Sequence, residues 1–182
     1  MDGMSESSLR AILRRETAKV HDVLDTAMAG SAVADDASYG RFLAFQFSSR
    51  QPVEAWMERA MKPADIPPPQ APLIARDLAA LGCDLPRCGT FDMPQGADPL
   101  GAVWALAGSS LGNRAMLVRR RKAGLGAPNA FLSDGAMPAF FTALKPRLEI
   151  AVDTETAMKA VAGARAVFDA FLAQLEPERC AA

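Results

Sequence analysis

The sequence predicts an all-α fold, and three observations carry the prediction. Apolar residues recur at spacings of three and four along most of the chain, no stretch alternates in the manner of a half-buried strand, and capping residues flank the periodic segments. With 182 residues the chain can bury one substantial core. We read a single domain over residues 1–182, with residues 1–7 and 177–182 expected to be flexible.

The first helix starts after Ser7 or Ser8 as N-cap, carries Leu9, Ile12, Leu13, Val20 and Leu24 as its apolar stripe, and is expected to end near Gly30. A second begins around Ser38 and is rich in aromatics (Phe42, Phe45, Phe47, Trp56), with Pro52 expected to kink or break it. Residues 62–72 hold Pro63, Pro67, Pro68, Pro69 and Pro72 and read as a stiff, extended connection. A third helix runs from about Leu73 to Leu81 and stops at Gly82. Asp98 and Pro99 are an N-cap and a first-turn proline, opening a long helix to Lys122 that is interrupted at Gly108 and Gly112. Two more helices are expected, around residues 138–150 and 153–175.

Lys and Arg number 20 against 21 Asp and Glu, so no global field favours nucleic acid or an anionic membrane. No apolar run approaches the ~18–20 residues that span a bilayer. The first residues have neither a basic nor an apolar leader region, so a cytoplasmic location is expected. Cys83, Cys88 and Cys180 match neither a zinc knuckle nor a CxxC pair, and are expected to be reduced.

The chain has one histidine, His21, which excludes any site built on two or three imidazoles. On the first helix it lies seven residues from Arg14, so the two project from nearly one angular position about 10 Å apart along the axis. That separation suits a flat cofactor with a metal on the imidazole and an anionic edge at the guanidinium; a hydrogen-bonded structural histidine is the plainer alternative. Gly108 and Gly112 lie one turn apart, and each costs a helix interior ~1 kcal/mol against alanine. Two reasons are open: close packing against a neighbouring helix, or bare backbone laid against a planar ligand. Arg119-Arg120-Arg121-Lys122 reads as a solvated helix terminus, or as a docking patch for an acidic electron donor.

The segment from Arg14 through Glu16-Thr-Ala-Lys-Val-His21, followed by Leu106-Ala-Gly108-Ser-Ser-Leu-Gly112-Asn-Arg114, resembles the proximal and distal helices of the biliverdin-producing haem oxygenases, closest to the compact bacterial type associated with bacteriophytochromes. The resemblance implies a haem oxygenase-like helical bundle with haem between the first helix and a glycine-kinked distal helix. It makes His21 the proximal iron ligand and Arg14 a propionate contact. It makes Gly108, Ser109, Gly112 and Asn113 the distal catalytic surface, and it suggests Lys145 and neighbouring Arg147 as further propionate cations. In this family haem is both substrate and prosthetic group, opened with oxygen and reductant to biliverdin, carbon monoxide and ferrous iron. Implied partners are an electron donor such as a ferredoxin or flavodoxin reductase system, and a bacteriophytochrome as biliverdin acceptor. Two positions depart from the family pattern: many members have aspartate where Ser109 stands, and Asn113 stands at the second glycine of the usual distal pair. Serine can hydrogen-bond the distal water but cannot supply the carboxylate's charge. A haem-binding sensor or carrier of the same fold, without ring opening, is the alternative reading.

Overall fold

The computed structural model describes residues 8–28 and 35–175. Gly30, Cys180 and the two terminal segments expected to be flexible lie outside them. The described residues form seven α-helices: α1 (Leu9–Met28), α2 (Asp36–Ala60), α3 (Ala71–Ala80), α4 (Pro99–Gly108), α5 (Asn113–Lys122), α6 (Ala136–Leu148) and α7 (Thr154–Ala173). Sequence periodicity therefore located these helices, with α4 and α5 expected as one long helix interrupted at Gly108 and Gly112, and the expected boundaries lie within about three residues of the observed ones.

The caps explain most of those boundaries. The Ser8 hydroxyl accepts from Ala11 N at 3.4 Å at the head of α1. Asp35, Asp98 and Asp153 accept from the main-chain N–H of Ser38, Leu100 and Thr156 and open α2, α4 and α7. Gly82, at φ 71°, follows α3 in the left-handed conformation that a side chain would strain.

Two expectations need correction. Pro52 does not break α2, which runs unbroken through it to Ala60. Pro52 is buried within α2, and the burial of its ring offsets the lost main-chain donor. The proline-rich connection is also less uniform than expected, because Pro63–Asp65 closes one 3₁₀ turn before the chain extends.

The central contact is between α4 and α7. A Cβ on Gly101 would stand 1.7 Å from the carbonyl oxygen of Ala160, and one on Gly163 would stand 2.3 Å from that of Asp98. The two backbones thus touch with no side chain between them, and Asp98 N donates to Lys159 O at 2.9 Å. Leu106, Ala102, Ala160 and Val161 fill the surrounding core. On the other side α1 lies along α7, tied by Arg165 Nη2 to Glu16 O at 3.1 Å. Its first turn is held to the end of α6 by Leu9 N to Ile150 O at 3.0 Å and by Arg10 to Glu149 at 2.8 Å.

A second cluster joins α2 to α3 around Tyr39, Phe42, Ile74 and Phe131. Here Glu54, buried on α2, accepts from Gln70 N at 3.0 Å and Ala71 N at 3.0 Å and so caps α3 from a distance. Burial pushes its carboxyl upward, and the Arg50 guanidinium pulls it back.

Two stability outcomes follow. Gly101→Ala should lower stability by about 3 kcal/mol or more, because rigid backbone rather than a flexible side chain blocks the new methyl. Glu54→Ala should cost about 2–4 kcal/mol by orphaning two buried N–H groups and removing the counter-charge to Arg50. Urea denaturation monitored by circular dichroism measures both; a loss under 1 kcal/mol for Gly101→Ala would contradict the close crossing.

Candidate functional site

Two adjoining cavities, of about 490 Å³ and about 370 Å³, lie between α1 and the α4–α5 turn and share His21, Ala105, Gly108, Ser109, Leu111 and Phe168. Arg14 and His21 reach this space from one face of α1, as their seven-residue spacing requires. Gly108 and Ser109 end α4 opposite them, and Gly112 and Asn113 line the smaller lobe. Six of the eight residues singled out in the sequence are therefore brought together. Lys145 and Arg147 are not among the lining residues. Arg147 is instead paired with Asp65 at 2.9 Å beside a separate hollow, while α6 sends Phe141 to the cavity wall.

His21 is half-exposed on the cavity edge. Its Nδ1 lies 3.1 Å from Asp25 Oδ2 one turn along the helix, and its ring meets Phe168 edge-on with centroids 6.2 Å apart. A neutral imidazole that donates from Nδ1 to Asp25 keeps the Nε2 lone pair for a metal.

Gly108 and Gly112 can now be understood. A Cβ at Gly108 would find only Phe141 Cε2, at 3.7 Å, and one at Gly112 would meet nothing within 4 Å. Neither glycine has a positive φ, so neither conformation nor helix packing requires it. Close packing belongs to Gly101 and Gly163 instead. What a side chain at 108 would fill is the cavity itself. Between the two glycines the helix gives way to short-range bonds, Leu111 N to Gly108 O and Asn113 N to Ser110 O, both at 3.1 Å.

Several residues at the site were not anticipated. Trp104, Phe141 and Phe168 make the apolar wall, and Arg10 adds a second cation next to Arg14. Behind the α4–α5 turn lies Arg50 of α2, with none of its surface exposed. Its Nη2 donates to Ser109 Oγ at 2.6 Å and Ser110 Oγ at 3.1 Å, and its Nε donates to Gln46 Oε1 at 2.9 Å. Ser109 Oγ in turn donates to Leu106 O at 2.7 Å. Asn113 Nδ2 donates to Phe131 O at 3.4 Å, which draws its amide to the buried side of the turn. The polar run Ser48-Ser49-Arg50-Gln51 in the middle of an aromatic-rich helix was the available signal for Arg50.

The basic run divides in two. Arg120 is fully buried, with its guanidinium 4.0 Å from the Tyr39 ring centroid and 2.7 Å from Asp36. Arg119, Arg121 and Lys122 remain exposed. Among the described residues, no helix is long and apolar enough to cross a membrane.

Neither a protein-family model nor a curated protein sequence matches the chain. Among solved structures, the NO- and CO-bound haem oxygenase of Neisseria meningitidis superposes with a TM-score of 0.71 over 96% of this chain and 94% of the other, at 20% sequence identity. The fold is that of a haem oxygenase. Within that fold the cavity lies between α1 and the broken α4–α5 pair.

Gly108→Ala should leave the fold intact or stabilise it by up to ~1 kcal/mol, since its methyl enters open space and alanine favours helix. Thermal melting beside Gly101→Ala gives the comparison; equal losses for the two would refute the different reasons assigned to them.

Proposed function

We propose that this protein is a haem oxygenase that binds one haem in the cavity between α1 and the α4–α5 turn and opens it to biliverdin, carbon monoxide and ferrous iron. The observation that carries the reading is the pairing of a single imidazole, with cations beside it, against a glycine backbone whose missing side chain leaves the cavity clear. Haem fits this donor set: a nitrogen ligand, an apolar wall and guanidinium groups for two carboxylates. The similar fold of the Neisseria enzyme, which binds NO and CO, supports it.

Each residue has a definable task. His21 would hold the haem iron through Nε2, with Asp25 holding the tautomer. Arg14 makes no ion pair among the described residues and is ready to take a carboxylate; Arg10 shares its charge with Glu149, whose carboxyl it holds below the usual range. Bound haem supplies the oxygen-activating iron and is itself the ring that is cut. Gly108 lets the α4 backbone approach the ring face, and Trp104, Phe141 and Phe168 exclude bulk water. Ser109 Oγ, committed as donor to Leu106 and acceptor from Arg50, retains acceptor capacity toward a water and carries no charge. Protons therefore arrive through water rather than from a carboxylate at this position. Arg119, Arg121 and Lys122 form the surface for an acidic donor such as a ferredoxin or flavodoxin, and a bacteriophytochrome is the proposed biliverdin acceptor.

Hemin titration should give a one-to-one complex with a sharp Soret band and quenched Trp104 fluorescence. With reductant, oxygen and catalase, the haem should be consumed and biliverdin recovered by chromatography. His21→Ala should change the Soret spectrum, and Asp25→Ala should weaken binding on the order of tenfold. Identical spectra for wild type and His21→Ala would remove the axial assignment. Because Ser109 is neutral and backed by Arg50, haem binding without ring opening would favour a sensor or carrier instead.

A further inference from the structure

Arg50 is the most unusual residue near the cavity. It is completely buried, its guanidinium sits 5.4 Å from the Phe131 centroid and 6.0 Å from that of Phe171, and its Nη1 has no hydrogen-bond partner. A buried charge with an unmet donor costs stability, so its retention calls for a compensating use. Desolvation brings the guanidinium down to about 10, which still leaves it protonated at neutral pH. The counter-charge is Glu54, and it faces the other way, onto the N-terminus of α3.

The bonds that Arg50 makes determine what the cavity receives. Nε holds Gln46 by its Oε1, so the free end of the Gln46 amide is the Nε2 donor. Gln46 lines the smaller lobe, together with Ser109, Gly112 and Asn113. Nη2 occupies the hydroxyl oxygens of Ser109 and Ser110, so both turn serines lie against positive charge. A carboxylate at position 109 would instead have neutralised this guanidinium.

We propose that Arg50, acting through Gln46 and Ser109, makes the α4–α5 side of the cavity a face that selects small anionic ligands over neutral ones. Gln46 is the contact residue, donating from Nε2, and Arg50 is a positioning residue that sets the amide's orientation and supplies the field. The inference rests on the haem reading, since the anion would be taken up on the open side of a haem held by His21.

The test compares azide with imidazole as ligands of the ferric haem complex at one fixed pH, read from the Soret shift. Arg50→Met should weaken azide tenfold or more and leave imidazole within about twofold. If that variant does not fold, Gln46→Glu decides. It keeps an acceptor for Arg50 Nε but replaces the amide donor with a negative charge, and should also weaken azide at least tenfold with imidazole unchanged. Failure of the wild-type chain to bind hemin would overturn the haem reading, and this inference with it. A normal hemin complex with no azide binding, or with the same azide-to-imidazole ratio in folded Gln46→Glu, would overturn the role of Arg50 and leave the haem reading standing.

Discussion

The site depends on one steric constraint, the bare crossing of α4 over α7 at Gly101 and Gly163. At that point carbonyl oxygens occupy the space where side chains would otherwise separate the helices. The crossing sets where α4 ends, and so where Gly108 and Ser109 face α1. It also sets where α7 places Phe168 and Phe171, one against the imidazole and the other against the Arg50 guanidinium. Ridges of ordinary side chains would hold the helix axes 8–10 Å apart, and both walls of the cavity would then shift together.

Much of this fold was legible in the sequence because its signals are local. Asp98 before Pro99, Asp153 before Thr154 and Gly82 after Leu81 act within one helical turn, and periodicity marked the faces between them. The seven-residue interval from Arg14 to His21 placed both on one face of α1 without any knowledge of what lay opposite. Long-range information was harder to read. That Pro52 sits inside a continuous helix depends on its burial, which no local signal announces. The glycines most closely packed were also not the conspicuous pair. Gly108 and Gly112 drew attention by their spacing, whereas Gly101 and Gly163 are 62 positions apart and meet only in three dimensions.

The cations show the same divide. Arginines 50 and 120 are both fully buried, yet one stands among serines and the other inside a basic run, and composition gives neither away. Arg120 stacks on Tyr39 and pairs with Asp36, so its charge closes a structural joint between α2 and α5. Arg50 backs the α4–α5 turn through Ser109 and Ser110, and part of its hydrogen-bonding capacity remains unmet. Lys145 and Arg147 lie on α6 but are not among the residues lining the cavity, where Arg10 joins Arg14 instead.

The anchoring of α1 is uneven. Main-chain bonds from Leu9, the Arg10–Glu149 pair and the Glu16–Arg165 tie all act on its first half, while beyond Thr17 only Leu24 is buried. His21 stands twelve residues from Leu9, about 18 Å along the axis. Polar ties therefore fix the half of the helix that carries Arg14, while the half that carries His21 packs through Val20, Leu24 and Met28 and against the Phe168 ring. The cavity wall that carries the imidazole is thus set by side-chain packing, whereas the opposite wall is set by the main-chain contact of α4 with α7.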